Sequence, residues 1–333
     1  MPDAGIRVLL PGPQTTVQDL GRPGHTAIGV PAGGAADARA LIIGNRLLGN
    51  ADDAAGIEMT LIGAEFELLT DAVVSLTGAE FNADVRRSSG ESGHAARLDP
   101  IVMHCGDRVR IARLTSGARA YLCVRGGVAV LPVLGSRSTC LAGAFGGFEG
   151  RSLRSGDILP IGQDAFAPPR QAGAALQSAF AHSHRSSAIR VTRGPHVAAI
   201  GEPAYQALLS VELTVSSRSN RMGVRLENAD ISTAPDGRLV TQGMFHGAIQ
   251  LPPGGEPIIL GVDHPTTGGY PIIAGVIHAD LHRIGQLRPG APVRLMEVAL
   301  DAARAIARDE DHKLHEQCPP VQCTHSDRKP QTT

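Results

Sequence analysis

Residues Val240–Val276 read VTQGMFHGAIQLPPGGEPIILGVDHPTTGGYPIIAGV. Two apolar runs, Ala248–Leu251 and Pro257–Val262, are split by Pro252-Pro253-Gly254-Gly255, the pattern of a strand, a turn and a strand. Asp263-His264-Pro265-Thr266-Thr267-Gly268-Gly269-Tyr270 follows at once, and Ile272–Ile277 then resumes an apolar run. A carboxylate, an imidazole, two hydroxyls and a tyrosine between two buried strands, with glycines that admit another group close to the backbone, suit the rim of a pocket. The same residues also suit a tight turn that needs two glycines, and the pattern alone leaves these level.

Upstream, Ser219-Asn220-Arg221-Met222-Gly223-Val224-Arg225 places two arginines four residues apart, a spacing that shares one face if both lie on a strand. Arg221 or Arg225 would then pair with a carboxylate or phosphate. Asp263 or His264 would serve as base or orienter, and Gly268 and Gly269 would turn backbone N–H groups toward an oxyanion. Tyr270, Thr266 and Thr267 complete this pocket.

Strands dominate elsewhere. Glu65–Leu69, Val73–Leu76, Arg108–Ala112 and Tyr121–Val124 are short β-rich runs between Gly and Asp turns, which points to barrels or sandwiches. Three helices interrupt them: Ala36–Leu48, capped by Asp37 and stopped at Gly49; Glu202–Leu209; and Glu297–Arg308. The two halves echo each other. Ile6-Arg7-Val8 precedes Gly12-Pro13-Gln14 as Ile189-Arg190-Val191 precedes Gly194-Pro195-His196, and Gly29-Val30 with Ala36-Asp37 is echoed by Gly223-Val224 with Ala229-Asp230. Residues 1–162 form one unit and 188–308 the other. Gln163–Ser187, rich in Ala, Pro, Ser and Gln, reads as a linker, and 309–333 as a disordered tail.

Composition removes several classes of function. A chain of 333 residues, 42% hydrophobic with a net charge of −1, has a core to bury and no charge excess for nucleic acid or a membrane surface. No apolar run spans a bilayer, no signal peptide opens the chain, and five cysteines at irregular spacing do not form a disulfide framework; a cytoplasmic protein is expected. The only lysines are Lys313 and Lys329, so residues 1–312 offer no P-loop, Schiff-base or biotin-accepting lysine. No dinucleotide fingerprint, Walker motif or serine triad order appears. His312, His315, Cys318, Cys323 and His325 fit no zinc spacing, and no metal site is expected.

Near the N-terminus, Thr15, Thr16, Gln18, Asp19 and Arg22 crowd one loop. By pattern alone this is an Asp19–Arg22 ion pair with Thr and Gln capping a turn. Glu58 reads as a buried acceptor or a surface residue. Arg125 with Gly135–Thr139 forms a further Arg-and-hydroxyl cluster, suited to an oxyanion or to solvent.

Seven blocks in order carry a resemblance: TTVQDLGRPG (Thr15–Gly24), GNRLLGN (Gly44–Asn50), SLTGAEF (Ser75–Phe81), YLCVRGGVAVLPVLGSRST (Tyr121–Thr139), SNRMGVRL (Ser219–Leu226), GAIQLPPGGEPIIL (Gly247–Leu260) and TTGGYPIIAGVIHADL (Thr266–Leu281). The chain resembles the KipA or PxpC family, the C subunits of 5-oxoprolinase, related to the carboxyltransferase portion of urea carboxylase and urea amidolyase. The resemblance implies a mainly β fold with a few helices, in two cyclophilin-like β-barrel subdomains. It implies work with a PxpA-like partner and a KipI-like or PxpB-like partner to open 5-oxoproline to glutamate, with ATP, with or without Mg, at the level of the complex.

Under that resemblance, Asp263, Arg221, Arg225 and Tyr270 become the candidate catalytic residues. Thr15, Thr16, Gln18, Asp19, Arg22, Gln250, Thr266, Thr267, Gly268 and Gly269 become candidates for substrate binding. Two other readings stay open: carboxyl transfer to a urea-like amide from carboxybiotin on another chain, and a KipA-like regulator that binds a KipI-like partner without catalysis. The chain departs from the family's pattern at Thr241-Gln242-Gly243, where relatives carry Ser-Glu-Gly, and at Gly33–Asp37, where they carry Ser-Gly-Ala-Met-Asp. Arg221→Ala and Asp263→Ala are expected to abolish turnover without unfolding the protein.

Overall fold

A computed structural model gives the fold, described for residues 4–163, 165–183, 188–229 and 239–321. Alternating burial builds the first half. In Arg108–Ile111 the side chains run out, in, out, in, and Ala83–Arg86 repeats the pattern in reverse. Six strands form one sheet in the order Ile158–Pro160, Gly5–Leu10, Glu65–Leu68, Arg108–Ile111, Ala83–Arg86, Ser92–His94. Five form the other: Thr15–Gln18, Gly56–Thr60, Ser116–Val124, Ala72–Glu80, Ile101–Met103. One core, including Ile6, Phe66, Val109, Ile57, Leu76 and Leu122, draws residues from both sheets.

The second half closes on itself. Seven strands make a barrel in the order Ala188–Arg193, Ile272–Val276, Ala248–Gln250, Ile258–Leu260, Gly223–Glu227, Leu213–Val215, Pro292–Glu297. The expected strand–turn–strand around Pro252–Gly255 is there, with Ile249 opposite Ile259. Closure comes from the parallel pairing of Ala188–Arg193 with Pro292–Glu297. Of the internal echoes, the two opening strands, Gly5–Leu10 and Ala188–Arg193, correspond. Gly29-Val30 does not match Gly223-Val224: the former follows a short 3-10 turn and the latter begins a strand.

Helix Ala38–Leu47 lies on the outer face of the five-stranded sheet, burying Leu41, Ile43 and Leu47 against Tyr121 and Cys123. Asp37 caps it, with Oδ1 accepting from the Ala40 N–H at 2.9 Å. Gly49 ends it at φ +74°, where a Cβ would lie 2.0 Å from the Ala167 carbonyl oxygen. Two stretches expected to be irregular are helical. Ala174–Ser183, inside the expected linker, docks Leu176 and Phe180 beside Leu41 and Ile43. The C-terminal helix runs Leu300–Gln317, past the expected onset of disorder at 309. Arg39 pairs with Glu310 at 2.8 Å, and buried Cys318 accepts from Arg46 through its carbonyl. Both segments are rich in good helix formers, and Leu300–Gln317, with Ala303 its one buried residue, carries the Lys313–Asp309 pair on its exposed length. Cys323 and His325 lie outside the described residues.

Leu176→Ala should therefore lower unfolding stability by about 2–5 kcal/mol, the cost of a truncated core leucine. An unchanged thermal midpoint would show that the helix is not part of the core.

Candidate functional site

The two halves meet across a buried knot of charge. Glu58, on strand Gly56–Thr60, is fully enclosed. Its Oε1 accepts from Arg221 Nη1 at 2.6 Å and lies 3.5 Å from Arg119 Nε. Its Oε2 accepts from the Ala36 N–H at 2.8 Å and the Tyr121 hydroxyl at 2.7 Å. Arg221 also donates through Nε to Asp263 Oδ2 at 2.7 Å and through Nη2 to the Gly34 carbonyl at 2.6 Å. Gln286 adds a neutral tie, donating to Asp37 Oδ2 at 2.7 Å and accepting from the Ala118 and Arg119 N–H groups.

Burial alone would raise the Glu58 carboxyl. Arg221 and Arg119 outweigh it, helped by the Ala36 and Tyr121 hydrogen bonds, and hold the group below its usual range. For Arg221, burial opposes the charge while Glu58 and Asp263 raise its pKa. Arg119 goes the other way: burial outweighs Glu58 and lowers it.

On one side of the knot lies a small nook. Gly33 takes φ +64°, and a Cβ built there would meet Arg22 Nη1 at 3.4 Å, Asp263 Oδ1 at 3.5 Å and Ser138 Oγ at 3.6 Å. Arg22 is 1% exposed. Its Nη2 donates to the Ser138 carbonyl and its Nε to Val133 O at 3.4 Å, while Nη1 has no partner. Asp19 does not pair with Arg22 as a local ion pair would; its carboxylate accepts from Ser136 Oγ at 2.6 Å and from the Arg137 and Gly21 N–H groups. A buried donor with no acceptor, at a place where a missing side chain leaves room, is an unmet demand for a ligand oxygen.

On the other side lies a cavity of about 270 Å³ bordered by Arg119, Arg221, Ser219, Asn220 and His246. Burial, then the nearby His264 and Arg221, pushes the His246 imidazole down to about 4, so it is neutral at pH 7. A larger cavity, about 340 Å³, sits between helices Ala38–Leu47 and Leu300–Gln317. Its arginines are committed, Arg39 to Glu310 and Arg190 to Asp280, and it reads as a packing groove.

The structure thus brings Arg22 and Asp263, from the two sequence loops, to one place, with Arg221 beside them. Other candidates lie apart. Arg225 does not share a face with Arg221, because Arg221 precedes strand Gly223–Glu227 at a bend and the two-residue period does not reach it. Thr15, Thr16 and Gln18 were expected in a loop but lie on strand Thr15–Gln18, where Thr15 donates to the Pro11 carbonyl, Thr16 accepts from Gln18 at 3.0 Å, and Gln18 Nε2 also reaches Thr139 O.

Thr267 and Gly268 pair with Gly243 and Gln242 in a two-stranded ribbon, with half-buried Thr266, Gly269 and Tyr270 alongside. Gln250 donates to Met244 Sδ at 3.1 Å, and a Cβ on Gly268 would fall 2.9 Å from Gln250 Nε2. Gln242 Nε2 is buried without a partner. Arg125 donates to the Leu48 and Ala167 carbonyls and ties down the first helix. Sequence reasoning missed Arg119, His246 and Gln286, which nothing local marked; Ser138 lies in the Gly135–Thr139 cluster that it singled out.

The profile of the carboxyltransferase domain, subdomain A and B, matches residues 28–297. The C subunit of 5-oxoprolinase from Escherichia coli is 36% identical over 94% of this chain and 97% of its own length. Lachancea kluyveri urea amidolyase is 34% identical over 92% of this chain, which spans 18% of that protein. Among solved structures, Kluyveromyces lactis urea carboxylase matches with a TM-score of 0.87 and 29% identity, over 99% of this chain and 31% of that one.

Two outcomes follow from the knot. Arg221→Ala strands Glu58 and Asp263 and should lower stability by about 3–5 kcal/mol in denaturant unfolding. A loss below about 1 kcal/mol would contradict a buried pair. The pH response also has a set sign. The His246 pKa is about 4 in the fold against the ordinary 6.5, so below 6.5 the unfolded chain binds more protons and stability falls toward pH 4. His246→Gln should flatten part of that decline in melts taken from about pH 7 to about pH 4.5.

Proposed function

The chain belongs to the carboxyltransferase domain family, subdomain A and B, and from that premise we propose that it is the C subunit of an ATP-dependent 5-oxoprolinase, opening 5-oxoproline to L-glutamate together with PxpA-like and PxpB-like partners. The observation that carries this reading is the 36% identity to the E. coli 5-oxoprolinase C subunit, which runs across nearly the whole of both chains. The seam between the halves supplies what the reaction asks of a protein. Opening a lactam puts negative charge on the amide oxygen, and the seam holds buried arginine donors without acceptors, Arg22 Nη1 and Arg119 Nε. Asp263, held by two hydrogen bonds from Arg221, is a carboxylate at the same seam and suits handling of a proton.

ATP supplies the driving force at the level of the complex. Leu131 (85% exposed), Val133 and Leu134 project from one loop, and Val133 is bonded to Arg22. An apolar loop tied to the site arginine suits chemistry completed in contact with the two partners. The four described cysteines are free, three of them buried, which suits the cytoplasm.

Carboxyl transfer to a urea-like amide is the second reading. It is favoured by the structural match to urea carboxylase, and carboxybiotin would come from another chain. The oxoprolinase reading is preferred because the E. coli 5-oxoprolinase relative is 36% identical, against 34% for Lachancea kluyveri urea amidolyase.

The test is ATP hydrolysis by this chain purified with its cognate PxpA-like and PxpB-like partners. Stimulation by 5-oxoproline that disappears when this chain is omitted is expected. Stimulation by urea with a biotin carrier, and none by 5-oxoproline, would transfer the assignment to carboxyl transfer. Tight partner binding without either activity would leave a KipA-like regulator.

A further inference from the structure

The cavity on the Arg119 side has a composition that selects ligands by charge. Two arginines border it, and none of its lining side chains is a carboxylate. The two are not equivalent. Arg221 is fully engaged by Glu58, Asp263 and Gly34. Arg119 is 9% exposed and barely engaged. Its Nε, 3.5 Å from Glu58 Oε1, makes no hydrogen bond, and its Nη1 makes only a 3.3 Å bond to the neighbouring Ala118 carbonyl. A guanidinium carries five donors in a fixed fork matched to two oxygens, and a buried one is costly until they are used.

The remaining polar lining is neutral and donor-rich. Gln14 and Asn220 use their amide oxygens internally, accepting from Thr60 Oγ1 and the Met222 N–H. Leu61, Ile284 and Leu287 add apolar surface to the lining. A guanidinium with a free donor, neutral polar groups and aliphatic side chains in one lining suit a compact molecule with a carboxylate on an apolar body. The volume, about 270 Å³, falls just under the roughly 300–1,000 Å³ of drug-sized sites and suits a small metabolite.

We propose that this cavity binds the substrate's carboxylate and that Arg119 is the residue that receives it. The proposal rests on the reading that the substrate is a small carboxylated cyclic amide. It makes Arg119 the residue that separates 5-oxoproline from uncharged lactams and from urea.

The test compares 5-oxoproline with its neutral carboxamide, in calorimetric binding to the full chain and in turnover by the complex with its two partners. Arg119→Gln should weaken binding of 5-oxoproline about 10- to 100-fold, the loss of one charge-assisted contact, and leave the carboxamide unchanged. In the complex, KM for 5-oxoproline should rise by a similar factor with kcat within a few-fold. Equal losses for both ligands, no loss for either, or no binding of 5-oxoproline by the wild-type chain would overturn the proposal. Charge-selective binding that depends on Arg119, in a complex that does not hydrolyse ATP in response to 5-oxoproline, would sustain the carboxylate site and sink the oxoprolinase reading. Should Arg119→Gln fail to fold, Arg119→Lys decides. It keeps the charge opposite Glu58 but loses the fork, so a smaller but still charge-selective loss is expected, and its absence overturns the proposal.

Discussion

The Arg221 guanidinium is the constraint on which the rest of the molecule depends. It binds three separated stretches of chain at once: Glu58 in the first half, the Gly34 carbonyl in the loop before the first helix, and Asp263 after the barrel's strand–turn–strand. Taking one guanidinium and two carboxylates out of water is expensive, and only near-complete hydrogen bonding returns the cost. Here it is nearly complete, since Tyr121 and Ala36 satisfy the remaining Glu58 oxygen. The halves are therefore held in register by direction-specific bonds, which fix relative position more sharply than an apolar face would.

That saturation explains where a ligand can act. With Arg221, Glu58 and Asp263 engaged with one another, the unsatisfied donors lie on either side of them, at Arg22 Nη1 and Arg119 Nε. Native proteins leave few buried polar groups unpaired, and those that remain call for an explanation. Two such atoms lie at one seam, beside an ion-pair network that is itself saturated. The Arg22 face is bonded to the exposed loop bearing Leu131 and Leu134, so a partner on that loop would press on the site through a single carbonyl.

Much of the frame was legible in the order of residues. Short β-rich runs, Gly and Asp turns, the Asp37 cap and the Gly49 stop all act locally, and local signals survive in sequence. The convergence of Arg22 with Asp263 was legible only through the resemblance, because contacts that cross more than two hundred residues leave no trace in spacing. Arg225 was misplaced for a physical reason: a bend before Gly223 breaks the two-residue period. Helix Ala174–Ser183 and the last turns of Leu300–Gln317 were missed because polar, Pro- and Gln-bearing surroundings masked runs of good helix formers. Nothing in the sequence singled out Arg119, and only the geometry shows that its Nε lacks an acceptor.

The side chain of Gln286 carries a consequence of another kind. It accepts from the Ala118 and Arg119 amides, at a point where strand Ser116–Val124 slips register against Ala72–Glu80. Those amides lie 168 and 167 residues before their acceptor. At a synthesis rate of about 5–20 residues per second they wait roughly 8–34 s for it to be made. During that interval two amides at the bulge of this central strand, otherwise paired with Gly56–Thr60 and Ala72–Glu80, stand without their acceptor. The irregularity that lets the finished protein lock its halves together is, on the ribosome, a polar gap in the first half that only the second half fills.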